Sequence, residues 1–299
     1  MGRPSRFQAM ESLKGPIASL VKEEKKNVFL LADIRRLLTK GNYLLGLPGR
    51  VTIKEFIEFL DAKKILHEIA VTLPLEKKVA RYQTANANAF ELALSLKGNS
   101  YLSHYSAVFL HGLTDNLPKT IYANTELKMT RNMNSLKLEQ DSIDTAFNRN
   151  IRQSNQIARY EDLEIFLLNS KNVDHAGVKE FDLNGVKLQV TDIERTLIDI
   201  TVRPNYAGGV YEVLNAYIAA KNKVSVNRLV ATLKKLDYTY PYHQAIGFYM
   251  EKAGYDEKVL RLLENLEIKY KFYLTYKMQL KEYSKRWKLF YPRGLDLID

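Results

Sequence analysis

The stretch Thr52 to Leu60 constrains the fold more than any other part of the sequence. Thr52 and Glu55 form a capping box, in which hydroxyl and carboxylate each satisfy an orphan amide of a first helical turn. Ile53, Phe56, Ile57 and Leu60 then fall at i, i+3, i+4 and i+7, which gives one buried stripe. Two short β-prone runs follow, Ile65 to Val71 and Val79 to Gln83. Leu73-Pro74-Leu75-Glu76-Lys77-Lys78 between them reads as a hairpin tip. Upstream, Met10, Leu13, Ile17, Leu20 and Val21 recur at helical spacing from Met10 to Lys22, despite Gly15 and Pro16. Ala32, Ile34, Leu37 and Leu38 mark a second helix, with Arg35, Arg36 and Lys40 on its outer side and Gly41-Asn42 as its stop. A turn ending Leu47-Pro48-Gly49-Arg50 leads into the third.

Three helices and a basic hairpin are the order of a winged helix-turn-helix, whose third helix enters the major groove while the wing meets the flanking backbone. The candidate DNA contacts are therefore Arg35, Arg36, Arg50, Thr52 and Lys54 on the helices, with Lys77, Lys78 and Arg81 on the wing. The competing reading is a helical module that docks on another protein. Glu55, Glu58 and Asp61 favour it, because they would repel phosphate; only the helix N-terminus could approach a duplex.

Charge supports a polyanionic partner. The net charge is +11, and the first 80 of the 299 residues hold 15 Lys and Arg against 9 Asp and Glu. Such a surface gains affinity by releasing counterions from phosphates, although a merely soluble basic protein has the same balance. At 46% hydrophobic and 26% charged residues the composition excludes a disordered chain. No apolar run approaches the roughly 18 residues of a spanning helix, and Met1 to Lys26 is too charged for a secretory signal. No membrane association is expected. The absence of cysteine removes disulfides, thiolate metal sites and cysteine nucleophiles, and fits a cytoplasmic setting.

The remaining chain mixes helices and short strands, so the expected fold class is α+β. It comprises an N-terminal winged helix-turn-helix over 1–85 and a larger, helix-rich α/β domain over 86–299. Helices are expected over Ala87–Leu96 and Leu102–Leu110. Strands are expected at Ile121–Ala123, Glu164–Leu168, Val178–Leu183 and Lys187–Val190, with Asn184-Gly185 as a hairpin turn. Thr191 and Glu194 form a second capping box, Ser225 caps Val226–Leu236, and Pro241 opens a helix that closes at Gly254. Residues 130–156, polar and Asn-rich, read as a long excursion.

Chemistry-bearing patterns are sparse. His104 and His111 share a helical face, but no nearby carboxylate completes a metal site. Arg195 and Asp199 sit four apart and suit a structural ion pair. Arg203, before Pro204, caps a helix or reaches a phosphate if exposed. Gly208-Gly209 lacks the Lys-Ser or Lys-Thr of a P-loop. No Gly-x-Ser-x-Gly elbow occurs, nor a Gly-Ser turn followed by paired aspartates. No catalytic residue, metal or cofactor is expected.

Tyr101-Leu-Ser-His-Tyr-Ser-Ala107, continuing to Leu110-His-Gly-Leu-Thr114, resembles a signature of AbiEi-type antitoxins of toxin–antitoxin and abortive-infection systems. So do Asp192-Ile-Glu-Arg-Thr-Leu-Ile-Asp199, Arg203-Pro-Asn-Tyr-Ala-Gly-Gly209 and Tyr240-Pro-Tyr-His-Gln-Ala-Ile-Gly-Phe-Tyr249. The resemblance implies a non-enzymatic, two-domain regulator. Its N-terminal domain binds inverted repeats in its own promoter, and its C-terminal domain counteracts a nucleotidyltransferase-like toxin, with or without direct contact. Near the carboxyl end, Lys269 to Lys277 and Tyr283 to Tyr291 interleave cations with aromatics. That pattern suits stacking on bases or an amphipathic element whose rings bury while lysine stems snorkel. The resemblance implies a functional basic patch here without assigning single residues, and Lys277, Lys285, Arg286 and Lys288 are the cations of the segment taken as the candidate antitoxic surface. The alternatives are a nuclease or nucleotidyltransferase, and a one-component transcription factor with a ligand-sensing domain.

Overall fold

The structure, a computed structural model, describes residues 5–127 and 138–295. The first apolar stretch makes two helices rather than one, α1 (Arg6–Ser12) and α2 (Lys14–Glu23), parted at Leu13. Pro16 has no amide for the Ser12 carbonyl and its ring would crowd that carbonyl, so the helix restarts with Pro16 in a first turn. After β1 (Val28–Phe29) comes α3 (Leu31–Leu44), which runs through the expected stop at Gly41 because Gly41 is buried beneath Leu47. Helix α4 (Ile53–Ala62) starts where the capping box places it: Thr52 Oγ1 accepts the Glu55 amide at 3.2 Å, and Glu55 accepts the Thr52 amide at 2.8 Å. The hairpin β2 (His67–Thr72) and β3 (Lys78–Gln83) is in register from His67↔Gln83 to Thr72↔Lys78, and α5 (Ala89–Ser95) is capped by Asn88.

The helix expected over Leu102–Leu110 divides into β4 (Ser100–Leu102) and α6 (His104–Leu110). Strand β5 (Thr120–Leu127) follows. Helix α7 (Gln140–Phe147) lies within the stretch read as an excursion, of which 130–137 fall outside the described residues. The helix forms because Ile143 and Phe147, four apart, are both buried, with Tyr240, Phe272, Tyr273 and Tyr276 ringing Phe147. Next come β6 (Ile157–Tyr160), β7 (Leu163–Lys171), β8 (Val178–Leu183) and β9 (Val186–Thr191). The turn between the last two has Asn184 and Gly185 at φ 54° and 84°, the primed geometry that Asn-Gly favours.

Helix α8 (Ile193–Val202) is capped by Asp192, not by the expected Thr191. The Thr191 hydroxyl is committed to Thr196 at 2.8 Å, and Glu194 turns away to accept the Ser225 amide and the Arg228 guanidinium. Helices α9 (Val210–Ala220), α10 (Val226–Leu236), α11 (Tyr242–Lys252) and α12 (Glu257–Glu264) complete the helical set. The chain closes with β10 (Phe272–Tyr273), β11 (Lys281–Ser284) and β12 (Leu289–Pro292).

The fold is mixed α+β, and the chain forms two compact units that do not meet at a single cut near residue 85. The first comprises Met1–Gly98, Gln156–Phe166 and Glu180–Leu188; the second comprises Asn99–Asn155, Leu167–Lys179 and Gln189–Asp299. Helix α5 stays with the first unit because Glu91 accepts the Asn27 amide and side chain at 2.7 and 3.1 Å. Strands of the first unit follow the order β1-β3-β2-β6-β7, with Phe29↔Tyr82 and Thr72↔Arg159 in register. Its core gathers Met10, Ile17, Phe29, Ile34, Phe56, Phe59 and Leu60. Each such side chain contributes about 1.5–3 kcal/mol relative to exposure. In the second unit, β4 pairs antiparallel with β5 and parallel with β9 at Leu102↔Val190, and a separate sheet runs β10-β12-β11. Helices α8 and α11 lie at the centre of its core.

Candidate functional site

Three of the expected DNA contacts gather at the start of α4. Arg50 and Lys54 are exposed, and Arg6, which sequence reading passed over, joins them by donating to the Arg50 carbonyl at 3.0 Å and to Glu55. Thr52 is the exception, because its hydroxyl is used twice on Glu55 and serves the helix, not a phosphate. The acids that argued against phosphate are each engaged. Glu55 is held below the usual carboxylate range by the Thr52 amide and hydroxyl, with Arg6 adding to them; Glu58 lies 3.9 Å from Lys54, and Asp61 2.7 Å from His67.

Elsewhere in the first unit the expected contacts divide. Arg35 is exposed and forms no ion pair among the described residues. Arg36 is structural: it reaches Asp33 at 2.7 Å and Glu24 at 3.3 Å, in a network that Lys26 and Lys40 complete. Burial opposes ionisation of Asp33, but bonds from Lys26 and the Leu30 amide outweigh it and lower its pKa. Lys77 and Lys78 are exposed at the hairpin tip, beside a 3-10 turn in which Leu75 and Glu76 both take positive φ. Arg81 is withdrawn from the tip. Its guanidinium donates to Ser95 Oγ at 3.0 Å, the Ser95 carbonyl at 2.8 Å and the Ala80 carbonyl at 2.7 Å, so it ties β3 to α5. Sequence reading also missed an open groove of about 1000 Å³ walled by Lys14, Lys22, Lys25, Lys26, Lys63 and Lys64. These lysines come from three separate segments, and no single-segment pattern unites them.

At the carboxyl end the aromatics are core. Trp287 is fully buried and donates from Nε1 to Glu251 at 2.9 Å, while Gln244 donates to its carbonyl. Arg286 is not an open cation: it bridges Glu251, Glu257 and Glu264 at 2.7–2.8 Å and lies over the indole. Lys277, Lys285 and Lys288 remain exposed.

The second unit also holds a cavity of about 410 Å³. Residues from three of the four quoted motifs meet in its wall: His104 from the first, Arg195 and Asp199 from the second, Arg203 and Tyr206 from the third. Arg195 and Asp199 form a buried pair and not a surface one, Nε to Oδ1 at 2.7 Å, and Arg195 Nη1 donates to the Ala176 carbonyl at 2.8 Å. Gly177 makes this approach feasible. It has φ 73°, and a Cβ there would lie 2.6 Å from that of Arg195. His104 is buried against the edge of Tyr206, its Nδ1 2.9 Å from Ser103 Oγ, and burial lowers its pKa to about 4. It is therefore neutral at pH 7. The Ser154 amide donates to Tyr206 Oη at 2.7 Å and brings Arg152 to the wall. Lys171 lies there too, 3.3 Å from Asp237. His111 faces away, its Nε2 2.6 Å from the Thr191 carbonyl.

No protein-family model and no curated protein matches the chain. Among solved structures it is similar to the RV2827C protein from Mycobacterium tuberculosis, with a TM-score of 0.57 and 15% identity over 96% of this chain and 93% of that one. At that identity the likeness is one of fold. No helix among the described residues is long and apolar enough to cross a membrane.

Proposed function

We propose that the chain is a DNA-binding autorepressor and antitoxin of the AbiEi type, with a winged helix-turn-helix in its first unit. One observation carries the DNA reading. The elements from α2 to β3 run helix, strand, helix, helix, strand, strand, with strand order β1-β3-β2, and this frame sets Arg6, Arg50 and Lys54 at the start of α4. A helix N-terminus whose acids are paired by Arg6 and Lys54, beside the exposed Arg50, suits phosphate and groove contact. Lys77 and Lys78 at the hairpin tip supply the wing contacts. The antitoxic role rests on the motifs of the second unit and their resemblance to that family; the partner is a nucleotidyltransferase-like toxin, and the chain itself is not an enzyme.

The test is a mobility shift on the promoter-proximal inverted repeat, with Arg50, Lys77 and Lys78 replaced by Ala. The triple variant should lose binding while melting like wild type; undiminished binding would remove these residues from the interface. Co-expression with the neighbouring toxin gene tests the second role. The cavity favours a second reading, a transcription factor controlled by a ligand.

A further inference from the structure

We infer that the cavity of the second unit is a binding site for a nucleoside phosphate, its phosphate held by Arg152, Arg195 and Arg203 and its base lying along Tyr206 and Tyr238. The charge of the wall makes the first half of the case. Four cations, Arg152, Lys171, Arg195 and Arg203, line the cavity with one carboxylate, Asp199; Asp199 is spent on Arg195 and Lys171 is paired with Asp237, which leaves Arg152 and Arg203 uncompensated. Arg152 and Arg203 form no ion pair or side-chain hydrogen bond among the described residues. Arg195, which also lines the cavity, uses Nε and Nη1 on the protein, and its Nη2 makes no hydrogen bond among the described residues. Guanidinium groups are planar forks matched to phosphate oxygens, and three of them on one cavity provide more positive charge than the fold itself consumes.

The rest of the wall is built for a ring. Tyr206 is fixed in the wall by the Ser154 amide and by its ring contacts with His104 and Tyr122, so it is positioned before any ligand arrives. Tyr238 forms another side, and Asn124, Asn169 and Ser170 complete the wall with neutral polar side chains, Asn124 being held by Tyr101 and Ser170. Neutral His104 adds a polar ring without repelling or attracting charge. A volume of about 410 Å³ lies within the range of small-molecule sites and suits a mononucleotide.

Titration calorimetry on the full chain decides the matter, with ribonucleoside 5′-monophosphates, inorganic phosphate and a short single-stranded RNA as probes. At least one mononucleotide should bind at least tenfold more tightly than inorganic phosphate. Arg152→Ala, an exposed position that carries no fold contact, and Arg203→Ala should each weaken it about tenfold, the worth of one charge-assisted bond. Tyr238→Ala should remove the advantage over phosphate, and Lys258→Ala, an exposed cation of α12, should change nothing. Binding by the RNA but by no free nucleotide, with the same arginine dependence, supports the chemistry and makes a strand end its source. Phosphate binding as tight as any nucleotide, binding indifferent to both arginine variants, or no binding at all overturns the assignment. None of these residues belongs to the first unit, so operator binding remains a separate measurement.

Discussion

Trp287 leaves its neighbours little room. Its ring lies so close to α11 that a Cβ at Gly247 would come within 2.2–2.6 Å of three ring carbons. Gly247→Ala should therefore overpack the core and cost about 1–3 kcal/mol, and Trp287→Ala should cost about 3–5 kcal/mol through the cavity it leaves. Urea melts of both variants check this; a wild-type midpoint for either would mean that the α11 contact yields freely. His104 offers a pH signature. Burial depresses its pKa to about 4 from an ordinary 6.5, so its stabilising neutrality is complete above pH 6.5 and drains as pH falls toward 4. Over that window wild type should lose about 3 kcal/mol more than His104→Asn, a substitution that tolerates the positive φ at this position. Urea melts at pH 7 and 4 measure the difference, and parallel losses would show that His104 takes up its proton freely. Sequence made Trp287 visible as a large apolar side chain among cations, but not which cation would stay open. Arg286 is claimed by carboxylates from 22 to 35 residues earlier, and local spacing carries no trace of them.

Among the elements, α4 and the hairpin were the most legible, because a capping box, a helical stripe and a turn are each encoded within a few residues. The break between α1 and α2 was present in Pro16 and was read past in favour of apolar spacing. Helix α7 was missed because it buries just two side chains, Ile143 and Phe147, and the rings that surround Phe147 come from residues 240 to 276. The hairpin carries its own prediction. Lys77→Ala with Lys78→Ala removes two exposed charges, so the slope of log affinity against log salt should fall by about 2. Arg81→Ala should instead leave that slope unchanged and lower stability, since its bonds run to Ser95. A drop in slope with Arg81→Ala would return that residue to the DNA surface.

At the scale of the whole molecule, two compact units interleave along the chain, an arrangement that no local pattern encodes. The division follows pairings that reach across the chain, such as Asn27 with Glu91 and Thr72 with Arg159. A fragment ending at residue 85 would strip Asn27 and Arg81 of their partners on α5. Residues 1–98 should therefore melt at a higher temperature and more sharply than 1–85, by circular dichroism; equal melts would show that α5 contributes nothing to the first unit. The cavity was equally hidden. Arg195 and Arg203 stood out one at a time, as an ion pair and a helix end, Arg152 lay unmarked in the polar stretch 130–156, and only the packing of α8 beside the 3-10 turn at Pro204–Ala207 brought the motifs together.

The first unit draws Gln156–Phe166 and Glu180–Leu188 from late in the chain, and this imposes an order in time. A ribosome that has made residue 98 must add ninety more before every strand of that unit exists, about 5–20 s at ordinary elongation rates. A premature stop between those points yields no complete copy of the first unit, however intact its opening hundred residues. Under the proposed function, only chains whose synthesis has passed more than a third of the second unit would hold the operator, and abortive translation products would leave the promoter open.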